Sequence, residues 1–421
     1  MKYLFLFLSS ILLSCEQTPQ LNVTVSNETS LKEIKGTLIN SKNQLDKPYV
    51  ILVSIDGFRY DYAERYGAKK LLNFDVIAEK MIPSFPSKTF PNHYAIASGL
   101  YPGHNGLVSN EFYDRDLDLT YSIRNRDVVE NSKFYNGTPL WVLASEQKMV
   151  NASMFWVGSE APIKGKLPTY YFKYDGGINY ADRVNQTIKW LQLPEAERPH
   201  FITLYFSITD DIGHKYGPDS DEIAKAVKDI DYSIGDLIGK VNRLNLPVNI
   251  IVVSDHGMLE VNREDVIYLD ELLPKNLNYT SSFPAMVYSN NKERIDSIYN
   301  SLVTDTSKYS VFYKNDIPKR YHYDAEQERI GDLLIMPKAP YTFGRKSRPH
   351  NVGASTHGYD PKLTPEMGAI FFANGNAFNK ITNLAPFENI NVYPLIAHIL
   401  DLEYDSTSID GNFNVLKPIL K

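Results

Sequence analysis

The chain has 421 residues, of which 43% are hydrophobic and 22% are charged, and its formal net charge is -6. This composition is typical of a globular protein with a large core, and it excludes a disordered chain. Because Lys and Arg are not in excess, we do not expect binding to a nucleic-acid polymer, and any contact with phosphate must depend on a local site.

The first residues predict export and a membrane anchor. The run "MKYLFLFLSSILLSC" has one lysine and an apolar stretch too short to span a bilayer comfortably, and it ends at Cys15, the only cysteine. It resembles a bacterial lipoprotein signal, which implies a signal peptide over residues 1–14 and acyl chains on Cys15. We therefore expect a lipid-anchored protein of the cell envelope, periplasmic or at the cell surface. An ordinary cleaved signal with an incidental cysteine is the alternative.

Residues 16–47 are polar and show no clear periodicity. With Cys15 they predict a tether over residues 15–47. From residue 48 onward apolar runs alternate with helical patterns. The strand-like runs are "YVILVSI", "VNASMFW", "HFITLYF" and "VNIIVVSD", and the helices are predicted near 69–80, from 138, near 182–192 and near 220–244. This alternation predicts an α/β domain over residues 48–421, with a largely parallel sheet sandwiched by helices.

The pattern changes between about residues 262 and 350, where the elements are shorter. They include "AMVYS", "KERIDSIYNSLV" and "GDLLIMP". We interpret this stretch as a smaller inserted α+β subdomain. The main sheet then resumes with "MGAIFFANG" and is followed by a final helix, "VYPLIAHIL".

Carboxylates and imidazoles follow several of the predicted strands, where ligands of α/β sheets gather. Taken separately, each is an ordinary turn or loop residue; together they predict a metal site. Ligands with nitrogen and oxygen but no thiolate suit zinc or a similar transition ion. The candidates are Asp56, Asp210 or Asp211, His214, Asp255, His256 and His357. The remaining histidines fill no ligand position: His93, His104, His200, His322, His350 and His398.

Thr89 stands just ahead of Phe90 and Pro91 in "PSFPSKTFPNHYAIASG". Proline is favoured in the first turn of a helix, so one interpretation places Thr89 at or beside a helix N-cap. The other makes it a nucleophile. A hydroxyl bound to a cation ionises more readily, and two cations about 4 Å apart can clamp the attacking and leaving oxygens of a phosphoryl group.

Five segments in order resemble the nucleotide pyrophosphatase/phosphodiesterase family of the alkaline phosphatase superfamily, from about Tyr49 to the C-terminus. They are "FPSKTFPNHY", "GLYPGHNGLVSNEFYD", "RPHFITLYFSITDDIGHKYGP", "SDHGM" and "THGYDP". The resemblance implies an alkaline-phosphatase-like fold and two zinc ions as cofactors. It implies these ligands: Asp210, His214 and His357 on one ion, and Asp56, Thr89, Asp255 and His256 on the other.

The resemblance also implies roles near the metals. Thr89 would be the nucleophile and would be transiently phosphorylated or nucleotidylated. Asn110 would donate a side-chain N–H to a non-bridging phosphoryl oxygen. Phe90, Tyr205 and, more loosely, Tyr174 would stack a nucleobase.

The sequence departs from the family's nucleotide-cleaving pattern in one respect. The basic residue expected downstream of Asn110 does not align cleanly, and Arg124 and Arg126 are the candidates.

The predicted function is metal-dependent hydrolysis of phosphodiester or pyrophosphate bonds in nucleotides or nucleotide-like small molecules. The reaction would release a nucleoside monophosphate through a covalent Thr89 intermediate, in a monomer. One alternative is a phosphomonoesterase, or a phosphodiesterase acting on choline-type phospholipids, of the same superfamily. The other is a lipoprotein that binds phosphorylated ligands without catalysis.

Overall fold

The computed structural model describes residues 32–323, 326–347 and 352–421, so the predicted signal peptide, Cys15 and His350 lie outside the described residues. The strands are β1 (Ile34–Lys35), β2 (Tyr49–Ile55), β3 (Val76–Ala78), β4 (Met81–Ile82), β5 (Glu111–Asp114), β6 (Leu119–Ser122), β7 (Asn151–Met154), β8 (Tyr170–Tyr171), β9 (Phe201–Phe206), β10 (Val248–Val253), β11 (Leu259–Glu260), β12 (Ile267–Tyr268), β13 (Asn278–Tyr279), β14 (Ala285–Tyr288), β15 (Tyr309–Tyr313), β16 (Leu333–Pro337), β17 (Phe343–Gly344), β18 (Ser355–Thr356), β19 (Phe371–Asn374), β20 (Ile381–Leu384) and β21 (Phe387–Glu388).

The α-helices lie between these strands. They are α1 (Tyr62–Tyr66), α2 (Thr89–Ser98), α3 (Pro102–Asn105), α4 (Arg126–Val129), α5 (Leu140–Glu146), α6 (Tyr180–Leu191), α7 (Ile208–Tyr216), α8 (Asp221–Asn242), α9 (Leu269–Leu272), α10 (Lys292–Leu302), α11 (Val392–Ile399) and α12 (Phe413–Leu416). In the part of the chain that the structure describes, no helix combines the length and the apolar character needed to cross a bilayer.

The main sheet has nine strands in the order β1-β8-β7-β9-β2-β10-β19-β3-β20. Its neighbours from β8 to β10 are parallel, as are β3 and β20, whereas β1, β19 and their partners pair antiparallel. Every residue of β2 and β10 is buried, as expected for strands covered on both faces. The predicted α/β fold with a largely parallel sheet flanked by helices is therefore confirmed.

The register of the central strands places the site. Ser54 of β2 pairs with Val253 of β10 on one side and with Tyr205 of β9 on the other. Because β9, β2 and β10 are parallel, their carboxyl ends meet at one edge of the sheet. The polar residues that follow these strands are thereby brought together.

A second sheet lies within the stretch predicted as an inserted subdomain. It has four antiparallel strands in the order β13-β14-β16-β15. Ile295 and Ile298 of α10 pack in one apolar cluster with Leu333 and Ile335 of β16. We call this region the antiparallel subdomain.

The helix predicted near residues 69–80 is wrong. A short 3-10 turn over Leu71–Asn73 is followed by β3, which pairs with β19 in the main sheet. The Asp231 carboxylate accepts the N–H groups of Lys70 and Leu71, at 3.0 and 2.9 Å, and holds the chain in the turn. Because the apolar residues of this short window fit a helix or a strand, their spacing did not distinguish the two.

Part of the predicted tether is folded onto the domain. β1 pairs antiparallel with β8, and the Asn40 side chain donates to the carbonyls of Glu195 and Arg198 and accepts the N–H of Val150. Glu33–Lys421 forms one compact unit. Asn40, one of the polar residues that suggested a tether, therefore binds backbone groups of the domain, which composition alone does not reveal.

Candidate active site

The predicted ligands converge at the carboxyl edge of the central strands. Asp56 follows β2, while Asp255 and His256 follow β10. Helix α7 follows β9 and carries Asp210 in its first turn and His214 in its last. Their ligand atoms form three groups, in each of which the atoms lie within 4.8 Å of one another: Asp210, His214 and His357; Asp56, Asp210 and His256; and Asp56, His93 and Asp255.

One end of the cluster is built around Asp210. His214 Nε2 lies 3.4 Å from Asp210 Oδ1, and His357 Nε2 lies 3.7 Å from the same oxygen. Asp210 and His214 are four residues apart on α7, so they share one face of the helix. This is the set that the family resemblance implies for one ion.

The other end is built around His256. Its Nε2 lies 3.0 Å from Asp255 Oδ2, 3.5 Å from Asp56 Oδ1 and 3.3 Å from Thr89 Oγ1. The His256 ring stacks on the His357 ring, with the centroids 3.5 Å apart. The two ends are therefore adjacent, and Thr89 belongs to the same end as its implied partners.

Backbone carbonyls fix the three imidazoles. In each ring Nδ1 is hydrogen-bonded to a carbonyl oxygen, so Nδ1 carries the proton and Nε2 presents a lone pair to the cluster. The pairs are His214 with Ser355 at 2.9 Å, His256 with Gly257 at 2.9 Å and His357 with Ser87 at 2.8 Å. The rings are oriented as metal ligands.

Three buried carboxylate oxygens in the cluster have no hydrogen-bond partner among the described residues: Asp56 Oδ1, Asp210 Oδ1 and Asp255 Oδ2. An unpaired buried acceptor is costly, and these oxygens face imidazole lone pairs, which are acceptors as well. A cation between them would satisfy both kinds of group. The residues present therefore fit a metal centre with nitrogen and oxygen ligands.

The electrostatics of the cluster point the same way. Burial, followed by the charges of Asp255 and Asp210, raises the pKa of Asp56 well above its usual range. Burial, followed by the charges of His256 and Lys88, holds the pKa of His357 well below its usual range. The burial of Asp56 and the carboxylates beside it therefore disfavour its charged form, and a cation in the cluster would offset this.

Thr89 is the first residue of α2 rather than its cap. The N-cap is Lys88, whose side chain makes no capping hydrogen bond. Thr89 is half-buried and its hydroxyl lies against His256. The next residue, Phe90, donates its N–H to Asn110 Oδ1 at 3.1 Å, which ties the predicted phosphoryl-binding amide to the start of the helix.

His93, for which the sequence predicts no ligand role, lies directly beneath the site. It is fully buried; its Nδ1 is 2.9 Å from the Thr89 carbonyl and 3.4 Å from Asp255 Oδ2, and its Nε2 is 2.8 Å from Ser54 Oγ. It therefore links the first turn of α2 to a predicted metal ligand. The four-residue spacing from Thr89 is the signal that could have indicated this role.

A cavity of about 260 Å³, which we call the aromatic cavity, opens beside Thr89. The predicted aromatic residues meet there, and Phe155 and Trp156 join them. Its lining residues include Asp56, Thr89, Phe90, Phe155, Trp156, Tyr174, Tyr205 and Asp210. Tyr205 does more than pack within its strand, because its hydroxyl donates to Asp56 Oδ2 at 2.6 Å while its ring lines the cavity.

Glu160 and Arg126 line the aromatic cavity and form an ion pair that the sequence does not predict. Glu160 has a raised pKa because burial disfavours its charge. Arg124, the other candidate basic residue, lines a different cavity. The single sequence carries no signal for the Glu160 pairing, since it depends on which loops meet.

Comparison with known proteins agrees with this geometry. The family model for type I phosphodiesterase / nucleotide pyrophosphatase matches residues 50–360. Ectonucleotide pyrophosphatase/phosphodiesterase family member 1 of Rattus norvegicus is 34% identical over 379 residues, which cover 85% of this chain and 41% of that protein. The venom phosphodiesterase CdcPDE of Crotalus durissus collilineatus is 35% identical over 395 residues, covering 88% and 46%. This chain thus spans less than half the length of these curated relatives.

Solved structures share the fold over most of this chain. Murine ectonucleotide pyrophosphatase / phosphodiesterase 5 superposes with a TM-score of 0.83 and 30% identity, covering 89% of this chain and 100% of that one. An inactive variant of that murine protein, in complex with AMP, gives the same TM-score at 29% identity. The chain therefore belongs to the type I phosphodiesterase / nucleotide pyrophosphatase family.

Proposed function

We propose that this chain hydrolyses phosphodiester or pyrophosphate bonds in nucleotides and nucleotide-like small molecules, releasing a nucleoside monophosphate. The observation that carries the proposal is the position of Thr89. Its hydroxyl lies 3.3 Å from His256 Nε2 in the predicted metal cluster, and the same residue lines the aromatic cavity. A nucleophile, an electrostatic centre and a surface for a base are thus adjacent.

The proposed cofactors are two zinc ions. Asp210, His214 and His357 would hold one, and Asp56, Thr89, Asp255 and His256 the other. When bound, they would supply the positive charge that favours the ionised hydroxyl and offsets the charge on the phosphoryl oxygens. The unpaired carboxylate oxygens and the backbone-anchored imidazoles support this assignment.

The residues of the chain then perform two displacements. Thr89 Oγ1, after losing its proton to water, forms a bond to phosphorus; the bond to the leaving group breaks, and its electron pair departs with the leaving-group oxygen. Asn110 Oδ1 is occupied by the N–H of Phe90, so Nδ2 is left to donate to a non-bridging oxygen. Water then attacks phosphorus and releases the monophosphate, and Thr89 regains its proton.

The aromatic rings beside Thr89 support a nucleotide as the substrate, because a base can stack on them. The same rings could receive a choline group, which makes the choline-type phosphodiesterase the second candidate. A phosphomonoesterase needs extra positive charge for a dianion. Lys88 is the cation next to Thr89, but it is buried, and burial lowers the pKa of its ammonium group to about 8. Its positive charge is therefore weakened, which makes Lys88 a poor partner for the dianion of a phosphomonoester.

The test compares three substrates on wild type, Thr89→Ala and Thr89→Ser: p-nitrophenyl thymidine monophosphate, p-nitrophenyl phosphate and p-nitrophenyl phosphorylcholine. We expect wild type to prefer the nucleotide diester. Thr89→Ala should lose at least about 10³-fold in kcat, while metal analysis finds the zinc content largely retained. Full activity of Thr89→Ala contradicts the nucleophile, and preference for another substrate contradicts the nucleotide assignment.

We also propose that the chain is anchored in the cell envelope through lipidated Cys15. The support is the sequence of the first residues. Cys15→Ala should move the protein from the membrane fraction to the soluble fraction of the envelope. An unchanged distribution in that variant would exclude the anchor.

A further inference from the structure

A second cavity, of about 470 Å³, opens next to the aromatic cavity. Ile123 lines both cavities. Phe90, in the wall of the aromatic cavity, donates its N–H to Asn110, in the wall of the second. The second cavity therefore begins at the amide that we propose to bind the phosphoryl group.

The wall of this cavity carries excess positive charge. Arg124 and Arg345 line it, and both are exposed. Among the described residues neither forms an ion pair within 4.0 Å; the Arg345 side chain makes one long hydrogen bond, at 3.4 Å, to Ser281 Oγ. Glu111 is the carboxylate in the wall, and it accepts the N–H of Ser281 at 3.4 Å. We call this space the arginine cavity.

The segments that form the arginine cavity are held in place. Arg345 follows β17, and the next residue, Lys346, donates its N–H to the Asp270 carboxylate at 2.9 Å. Ser109, the neighbour of Asn110, donates to Ser282 Oγ at 3.0 Å and so links the main domain to the antiparallel subdomain. Arg345 therefore lies next to an anchored stretch of backbone, and it lines the same space as Arg124.

We propose that the arginine cavity binds the phosphate of the leaving group, and that it directs this chain toward pyrophosphate linkages in preference to diesters whose leaving group carries no phosphate. The inference rests on the proposed function. Guanidinium groups bind phosphate through paired hydrogen bonds, and their charge persists at any working pH. The aromatic cavity would receive the nucleoside and the arginine cavity the departing phosphate.

The positive charge of Arg124 and Arg345 has a role in the step that breaks the bridging P–O bond. As Thr89 Oγ1 bonds to the phosphorus of the nucleotide, the bridging P–O bond breaks and both of its electrons stay on the oxygen of the departing phosphate. The leaving group therefore gains one negative charge. Guanidinium groups fixed where that charge develops stabilise the transition state more than the ground state.

The experiment uses two substrates with the same nucleotide half, thymidine triphosphate and p-nitrophenyl thymidine monophosphate, on the metal-loaded protein. The variants are Arg124→Ala, Arg345→Ala, the double variant and Arg345→Lys. Lys346→Ala is the matched control, because it removes the adjacent positive charge, which lies 3.7 Å from Glu271 and is not part of the cavity wall.

Each alanine variant should lower kcat/KM for thymidine triphosphate by about 10- to 100-fold, the range for a hydrogen bond to a charged group. The loss should exceed that on the p-nitrophenyl ester by at least about tenfold. Arg345→Lys should regain part of the loss, and Lys346→Ala should leave the ratio of the two substrates at the wild-type value.

An equal loss on both substrates, or no loss on either, overturns the arginine cavity as a leaving-group site while the proposed function stands. If wild type releases thymidine monophosphate from neither substrate, the proposed function fails and this inference fails with it. Circular dichroism and thermal melting identify a misfolded double variant, in which case the single variants give the answer.

Discussion

The metal-ligand cluster and the two cavities differ in how the chain builds them. The cluster is mostly buried, stands at the ends of neighbouring parallel strands, and has its imidazoles held by backbone carbonyls. The cavities are formed by side chains from separate loops, helices and the antiparallel subdomain, and several of these side chains are exposed. In this chain sheet topology therefore locates the cluster, whereas loops shape the cavities beside it.

The largest effect is expected from replacing Asp210, the residue that two of the candidate metal-binding groups share. Asp210 belongs both to the group with His214 and to the group with Asp56. Asp210→Ala should lose metal and lower kcat/KM by at least about 10³-fold, since a metal ion supplies several kcal/mol of charge stabilisation.

Asp211→Ala is the matched control for this prediction, because Asp211 is adjacent, exposed and absent from the metal-binding groups of described residues. Metal content by mass spectrometry and the rate on p-nitrophenyl thymidine monophosphate are measured for both. A larger loss in Asp211→Ala than in Asp210→Ala would show that the cluster has been assigned to the wrong carboxylate.

A smaller effect is expected beneath the cluster, at His93. His93→Ala removes the groups that hold the Thr89 carbonyl, Asp255 and Ser54, so kcat should fall by about 10- to 100-fold, the usual cost of losing a residue that orients a metal ligand. KM should change little, because His93 does not line the aromatic cavity. His93→Asn keeps a donor near Nδ1 and should recover part of kcat.

Metal affinity, measured by competition with a chelator, distinguishes a His93 that positions a metal ligand from a His93 that only packs in the core. A positioning residue lowers metal affinity together with kcat. Reduced thermal stability with unchanged metal affinity and unchanged kcat would show that His93 only packs.

The smallest effect is expected at Tyr205, whose hydroxyl contacts the metal-ligand cluster and whose ring lines the aromatic cavity. Tyr205→Phe loses the 2.6 Å hydrogen bond to Asp56 and keeps the ring, so metal affinity should fall about tenfold. Tyr205→Leu loses the ring as well, and KM for the nucleotide diester should also rise about tenfold. Isothermal titration with zinc and steady-state kinetics distinguish the two; identical behaviour of the variants would contradict the dual role.

Much of the candidate metal-ligand cluster was predictable because its sequence signals are local. Long apolar runs followed by Asp or His identified β2, β9 and β10 and the side chains at their ends. The choice between Asp210 and Asp211 was not local: it depends on which face of α7 meets His357. His93 was missed because a histidine among the apolar residues of α2 has the pattern of a core residue.

The remaining errors have a common physical cause. Val76 and Ile77 became part of a strand because β19 was available to pair with them, although their spacing also fits a helix. Asn40 is ordered because the domain offers it backbone partners. The roles of Glu160, Arg124 and Arg345 depend on the loops that face them, which the local sequence does not indicate. In each case the deciding partner is distant in sequence, so tertiary context overrides the local preference.

The hydrogen bonds from the three imidazoles to main-chain carbonyls have a consequence for redesign. Because these carbonyls belong to the main chain, the directions of the rings do not depend on the identity of the surrounding side chains. Replacing residues around the aromatic or arginine cavity should therefore leave the ring geometry unchanged as long as the local chain path is kept. The fold separates the part that must be kept constant from the part that can be exchanged to obtain a new specificity.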